Sequence, residues 1–422
     1  MSKSMLITVG IGKNREDVAH GISFSIRQNN PEYIIFITTD KSKQETLPFV
    51  LKNSCMSSKK YEIQVLSNEN DIELIRKECG EYIESLIAFG YIPENIVVDY
   101  TTGTKAMSAG LILSSIEKKV GTITYVYGER NSEGRVVSGS EKLITLQPNE
   151  VYANSIYKSA IDFFNKTQFD SCIELLQKAQ GLIGNPQTKE KFYTLEQLAQ
   201  AYSYWDRFDL QKAFNILKDF SSKNIYLQQW KIKSKVEQNK QILHKEKDNQ
   251  FCLERIVDLL ENANRRLELE GKYDDAVARL YRLLEFVAQY KMVELALYKK
   301  HNNGLPDTED IDIDKLPNTL RSKYESLRSN DGKIRLGLVN TYDLLAEMKT
   351  PLGLTFMEQF NNGTFKKLLG LRNKSLLAHG FSPIGQTASK EMFSEVAEFI
   401  KKSLPDTENF FQTVKFPRIS DD

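Results

Sequence analysis

The first third of the chain alternates short apolar runs with helix-patterned stretches, and this alternation limits the fold more than any other feature. Met5–Val9, Tyr33–Thr38 (YIIFIT), Tyr61–Leu66, Ile96–Tyr100 (IVVDY) and Thr122–Tyr127 (TITYVY) read as strands. Arg15–Gln28, Asn70–Phe89 and Ala106–Lys118 read as the helices between them. Strands alternating with helices imply parallel βαβ units, right-handed crossovers and a doubly wound sheet covered on both faces. Ligands of such sheets gather beyond the carboxyl ends of the strands.

Three of those strand ends carry ligand-compatible residues. They are Gly10-Ile11-Gly12-Lys13 after the first strand, Thr38-Thr39 after the second, and Thr101-Thr102-Gly103-Thr104-Lys105 after IVVDY. Glycine allows close backbone approach, helix N-termini favour anions, and threonine and lysine add donors for phosphate or ribose. Each turn taken alone is explained by strand–helix geometry with threonine caps. Three at one sheet edge favour a ligand pocket. The GxG lacks the third glycine of a dinucleotide fingerprint, and TTGTK is not a Walker A loop, which disfavours NAD and ATP.

From Glu150 to about Lys300 the pattern is helical. Gln168-Phe169-Asp170, Arg207-Phe208-Asp209 and Lys272-Tyr273-Asp274 each precede a helix-like run, with the aspartate expected as N-cap. Their unequal spacing excludes a strict solenoid repeat. The charged run Lys231–Lys247 reads as a solvated helix face, His244 and His301 as incidental surface residues, and His301–Lys315 as an exposed acidic loop. Helical pattern resumes at Leu316–Leu327 and Tyr342–Met348, and Pro351-Leu352-Gly353 breaks the chain.

The last feature is Leu368–Gly380, LLGLRNKSLLAHG. Read as one helix capped by Gly380, it aligns Phe365, Leu368, Leu369 and Leu376 on an apolar stripe, with Arg372 and His379 two turns apart on the same stripe. Lys366, Lys367 and Lys374 flank it. Metal-free RNA cleavage needs a proton taken from the 2′-hydroxyl, charge stabilised on the phosphate, and a proton given to the leaving 5′-oxygen. Histidine and arginine can supply these. Two copies facing across a two-fold axis would supply two Arg–His pairs around one phosphate. The same two residues could instead be structural, since an R-x6-H spacing also arises by chance.

Composition narrows the classes. A formal net charge of +1 over 422 residues makes any nucleic-acid site local. The four cysteines, Cys55, Cys79, Cys172 and Cys252, form no CxxC pair, which disfavours zinc and disulfides and fits a reducing cytosol. The first residues contain too short an apolar run for a signal peptide, and no later segment is long enough to span a bilayer. The expectation is a soluble cytoplasmic protein with no membrane partner and no metal. No basic recognition helix suggests DNA.

A TTGTK-like turn after IVVDY resembles the CARF domain, a Rossmann-type sensor, and RNKSLLAHG resembles the R-x4–6-H motif of HEPN ribonucleases. Their order, with AYSYWDRFD and AVARLYRLLEFVAQ between them, is similar to the CARF–HEPN accessory ribonucleases of type III CRISPR systems, in the subgroup with the longer helical connector. The resemblance implies an α/β Rossmann-like CARF domain (1–150), a helical connector (151–265) and an all-α region ending in a HEPN domain (266–422). It implies a homodimer that needs no cofactor, binds a cyclic oligoadenylate as allosteric activator and cuts single-stranded RNA without metal, leaving 2′,3′-cyclic phosphates in antiviral defence.

Carried over by position, Arg372 and His379 are the catalytic pair, and Asn373 is the polar residue that could position the phosphate. Gly10, Ile11, Gly12 and Lys13, Thr38 and Thr39, and Thr101, Thr102, Gly103, Thr104 and Lys105 form the ligand loops. Some CARF domains also degrade their activator slowly, for which Thr39, Thr101 or Thr102 are the available hydroxyls. The alternative is a non-catalytic, cyclic-nucleotide-responsive adaptor or regulator. The fused sensor argues against a toxin-like HEPN ribonuclease held by a protein antitoxin.

Overall fold

All five apolar runs are strands in the computed structural model, which describes residues 2–129, 139–220 and 223–420. The chain forms two units, residues 1–156 with 179–189, and residues 157–178 with 190–422.

The first unit runs β1 (Ser4–Thr8), α1 (Arg15–Asn29), β2 (Tyr33–Thr38), α2 (Asp40–Glu45), α3 (Leu47–Leu51), β3 (Lys60–Val65), α4 (Ile72–Ala88), β4 (Ile96–Asp99), α5 (Lys105–Glu117) and β5 (Thr122–Tyr127). A further strand, β6 (Lys142–Leu146), pairs antiparallel with β5. The sheet order is β3-β2-β1-β4-β5-β6, and the first five strands are parallel. Successive side chains alternate between faces. Leu6, Ile35, Ile37, Val98 and Ile123 pack with Ile75 and Ile83 of α4 and Leu111 of α5. Met5, Ile7, Ile34, Phe36 and Val97 pack with Ile22 and Ile26 of α1 and Val50 of α3. Each such burial is worth roughly 1.5–3 kcal/mol, which fixes the strand register. The order reverses between β1 and β4, so the loops after these two strands flank the switch point.

Past β6 come α6 (Pro148–Asn165), α7 (Phe169–Gln180), α8 (Pro186–Asp206), α9 (Leu210–Asp219), α10 (Ile225–Gln229), α11 (Lys233–Asp248) and α12 (Leu253–Asn264). A π-helical turn, Arg265–Leu269, leads to α13 (Tyr273–Glu294). A hairpin of β7 (Tyr298–Lys300) and β8 (Pro306–Ile311) precedes α14 (Asn318–Glu325), α15 (Leu338–Glu347), α16 (Pro351–Asn361), α17 (Thr364–Lys374) and α18 (Gln386–Ser403). The core here joins Leu280, Leu284 and Val287 of α13 to Tyr342, Phe356, Phe365 and Phe399.

Three expectations change. The acidic stretch 301–315 is not a bare loop. Asp307 and Asp310 are buried, held by Lys333 at 2.8 Å and Lys299 at 2.9 Å, and Ile311 enters the core. The charged helix α11 does keep its expected solvated face, and buries Val236, Ile242, Leu243 and Glu246 on the other. Among the three expected aspartate caps, only Asp209 is an N-cap, while Asp170 and Asp274 lie in the first turn of helices that begin one residue earlier. Pro351 opens α16 under a Thr350 cap instead of merely interrupting the chain.

After α18 the chain returns as a strap to the connector helices. Phe416 sits between Tyr202 (4.8 Å) and Trp205 (5.1 Å), and the Arg265 guanidinium lies 3.9 Å from its centroid. Asn239 donates to the carbonyls of Thr413 and Lys415, and Asn165 exchanges two hydrogen bonds with Ile419. A buried ionic layer underlies this seam. Asp206 pairs with Arg265 at 2.9 Å and with Arg266, and Asp258 accepts from Trp205 Nε1 at 2.7 Å. Burial acts to raise the Asp206 pKa, but the two arginines outweigh it and hold it below the usual range. At Asp258 burial prevails and lifts the pKa to about 6.

Candidate functional site

The Arg–His segment is not a single helix. Helix α17 buries Phe365, Leu368 and Leu369, with Phe365 4.9 Å from Phe356 and 5.5 Å from Phe399 between ring centroids. It stops at Lys374, because Ser375 leaves the helical path and bonds back to the Arg372 carbonyl through its amide (3.0 Å) and hydroxyl (2.8 Å). The chain then folds over the helix end. The amides of His379, Gly380 and Ser382 donate to the carbonyls of Asn373 (3.3 Å), Ser375 (3.1 Å) and Lys374 (3.0 Å). A side chain on Gly380 would strike the Lys374 carbonyl, with Cβ 2.5 Å from its carbon and 2.8 Å from its Cα. Gly380 is therefore demanded by close backbone approach. It is not the C-cap of the helix.

Two consequences correct the sequence expectation. Arg372 and His379 do not stack two turns apart, because the turn brings His379 back beside Asn373. Nor is the pair buried on an apolar stripe. His379 and Asn373 are exposed, Arg372 is half-buried, and Leu376 is 64% exposed. Leu377 and Phe381, at 52% and 90%, extend an apolar surface around the turn.

The Arg372 guanidinium lies over the Tyr281 ring of α13, 4.2 Å from its centroid, and its Nη1 donates to Asn373 Oδ1 at 3.2 Å. Tyr281 was invisible as a functional residue in the sequence, where it is one aromatic in an amphipathic helix. Burial raises its hydroxyl pKa, the neighbouring Glu285 carboxylate adds to this, and Arg372 opposes it. Lys366, Lys367 and Lys374 are exposed, with Lys367 loosely paired to Glu391 at 3.8 Å. This end can hold an anion and exchange protons in contact with water.

In the first unit, the β1 and β4 loops interlock. Gly10 N–H donates to Thr102 Oγ1 at 3.0 Å, and the Thr102 and Thr8 hydroxyls reach each other's carbonyls. A Cβ on Gly10 would overlap the Gly103 amide, and Gly103 has φ +104°. Asp99, fully buried at the end of β4, accepts from Ser25 (2.5 Å), Thr124 (2.8 Å) and the Thr101 amide (2.9 Å), and so ties α1 and β5 to the loop. Burial raises its pKa against those hydrogen bonds.

The expected ligand residues divide accordingly. Gly10 lies directly against Thr102 and Gly103, and Ile11, Gly12 and Lys13 continue that loop toward α1. Lys13 and Lys105 are exposed, and their ammonium groups form no ion pair among the described residues. The other hydroxyls serve structure. Thr38 is buried and donates to the Gln64 carbonyl at 2.9 Å, and Thr39 caps α2 through Ser42. Thr101 accepts from the Val126 amide at 2.8 Å, and Thr104 caps α5.

Among the described residues no group of histidine, cysteine and acidic side chains could hold a metal ion, and no helix is long and apolar enough to cross a membrane. Three family models match the chain in order. They are the Card1 CARF domain over residues 22–149, the Csm6 6H domain over 152–244 and the Csm6 HEPN domain over 244–404. No curated protein matches the chain. The structure of Enterococcus italicus Csm6 bound to cyclic hexa-2′-fluoro-hexa-dAMP superposes with a TM-score of 0.60 over 98% of this chain and 99% of that one, at 14% identity. That likeness is one of fold. Matched in order by a CARF sensor, a 6H connector and a HEPN effector, the chain belongs to the CARF–HEPN accessory ribonucleases of type III CRISPR systems. Its connector and effector are both of the Csm6 kind.

Proposed function

We propose that this chain is a homodimeric, metal-independent endoribonuclease that cuts single-stranded RNA when a cyclic oligoadenylate occupies the loops at the sheet switch point. The observation that carries this is the Arg372 guanidinium, half-exposed and free of any described carboxylate, at the foot of a turn that returns the exposed His379 to the Asn373 carbonyl. Arg372 holds the scissile phosphate, and Asn373 orients the guanidinium. A histidine takes the 2′-hydroxyl proton, the 2′-oxygen attacks phosphorus, and the 5′-oxygen leaves with a proton from the second histidine. The products are a 2′,3′-cyclic phosphate and a free 5′-hydroxyl. One His379 cannot serve as base and acid at once, so two copies are required. The exposed Leu376, Leu377 and Phe381 supply an apolar surface suited to a second copy.

In the sensor, Gly10–Lys13 and Thr101–Lys105 present to a ring of phosphates two helix N-termini and two lysines that form no ion pair among the described residues. The Enterococcus italicus protein, bound to a cyclic hexanucleotide, supports the class of activator. Its coupling to cleavage is set by its preference between two arrangements of the protein, typically ~1–3 kcal/mol. Slow ring cleavage by the sensor has little support, because the hydroxyls of Thr39, Thr101 and Thr102 are already engaged in structure.

The test is incubation of the purified protein with fluorescent single-stranded RNA in EDTA, with and without cyclic tetra- or hexa-adenylate. Activator-dependent cleavage in chelator is expected. Activator binding without cleavage under any condition would leave a non-catalytic adaptor.

A further inference from the structure

Arg372 is held in an unusual way for a buried-edge arginine. No described carboxylate pairs with it, its Nε is buried without a hydrogen-bond partner, and a single Nη1 bond runs to Asn373. What lies against the guanidinium is the face of Tyr281 at 4.2 Å. An aromatic face attracts a cation through its quadrupole and uses none of its N–H donors. A carboxylate in that place would have fixed the group equally well, but it would have neutralised the charge and occupied the donors that a phosphate needs. The ring is itself fixed, since Tyr281 stands on α13 between the buried Leu280 and Leu283, with Glu285 one turn on beside its hydroxyl.

We infer that Tyr281 is a positioning residue for RNA cleavage: its ring is the platform that aligns the Arg372 guanidinium while leaving its charge and outer donors available to the scissile phosphate. This rests on Arg372 being the phosphate clamp. Tyr281 touches neither substrate nor reacting atoms. Its contribution falls on the step in which phosphate charge grows, and so on kcat more than on KM.

The test is single-turnover RNA cleavage by the full-length protein at saturating activator. Tyr281→Phe keeps the platform and should cleave within about twofold of the parent. Tyr281→Leu keeps apolar bulk without the quadrupole and should lose about tenfold or more in kcat with little change in KM. Because Tyr281→Leu could perturb α13, a second series keeps shape constant, with phenylalanine carrying one, two or five ring fluorines placed at 281. Fluorination drains the ring face, so the logarithm of the rate should fall progressively along the series. A folded Tyr281→Leu protein with parental kcat, or a rate indifferent to fluorination, would overturn the inference. Arg372→Ala in the same assay separates the two levels. If it cleaves at the parent rate, the clamp assignment itself fails. If it is inactive while the Tyr281 variants are unaffected, only the platform fails.

Discussion

Gly380→Ala perturbs the Arg–His turn without touching either side chain. The new Cβ would lie 2.5 Å from the Lys374 carbonyl carbon and 2.8 Å from its Cα, both backbone atoms at the end of α17 that cannot rotate away. Reaching ordinary contact requires the turn to lift by roughly 1 Å. That movement strains the hydrogen bonds made by the amides of His379, Gly380 and Ser382. Losing all three would cost about 1.5–4.5 kcal/mol at ~0.5–1.5 kcal/mol each, but the loss is confined to one surface turn. A displacement of about 1 Å in a catalytic group lowers rates on the order of a hundredfold. Single-turnover cleavage of fluorescent RNA at saturating activator should therefore slow by about two orders of magnitude. Activator affinity and cooperative thermal unfolding should be retained. Parental cleavage by a folded Gly380→Ala protein would show that this backbone closure does not place His379.

Three further outcomes are expected. Arg372→Ala and His379→Ala should each abolish cleavage while leaving activator binding intact by calorimetry; residual cutting at the parent rate by His379→Ala would remove it from the mechanism. Lys105→Ala should raise the activator concentration for half-maximal cleavage severalfold, and an unchanged activation curve would take it out of the ligand site. Asp258 has a folded pKa near 6, above its unfolded value, so its contribution to stability is present at low pH and lost as pH rises toward 6. Thermal unfolding should thus shift upward between pH 7 and pH 5 through this group, and Asp258→Asn should flatten that shift. Identical pH profiles for parent and variant would contradict the assignment.

The sheet was legible because buried parallel strands leave a local signature. YIIFIT and IVVDY have one solution when flanked by helices, and the turns that follow them fall at the strand ends as expected. β6 carried no such signal, since KLITL is mostly exposed and pairs antiparallel at an edge. The Arg–His helix was read too long for a tertiary reason. LRNKSLLAHG contains good helix formers, and only the contact of Gly380 with Lys374 shows why the chain turns at Ser375. Tyr281 was missed because its partner, Arg372, is distant in sequence and the pairing exists only once α13 and α17 pack. The hairpin at 298–311 was hidden by its aspartates, which look solvated until Lys299 and Lys333 are found beside them.

The strap beyond α18 decides where this protein can be divided. Asn165 and Ile419 are joined across 254 residues, and Phe416 occupies a slot whose walls, Tyr202 and Trp205, belong to the connector. Connector and effector are therefore expected to unfold together, because withdrawing the strap opens an aromatic cavity and strips the ring from Arg265 in one event. A fragment cut to residues 244–404 would keep Arg372 and His379 but have neither slot nor strap. The smallest piece expected to fold cooperatively is larger than the piece that holds the Arg–His turn.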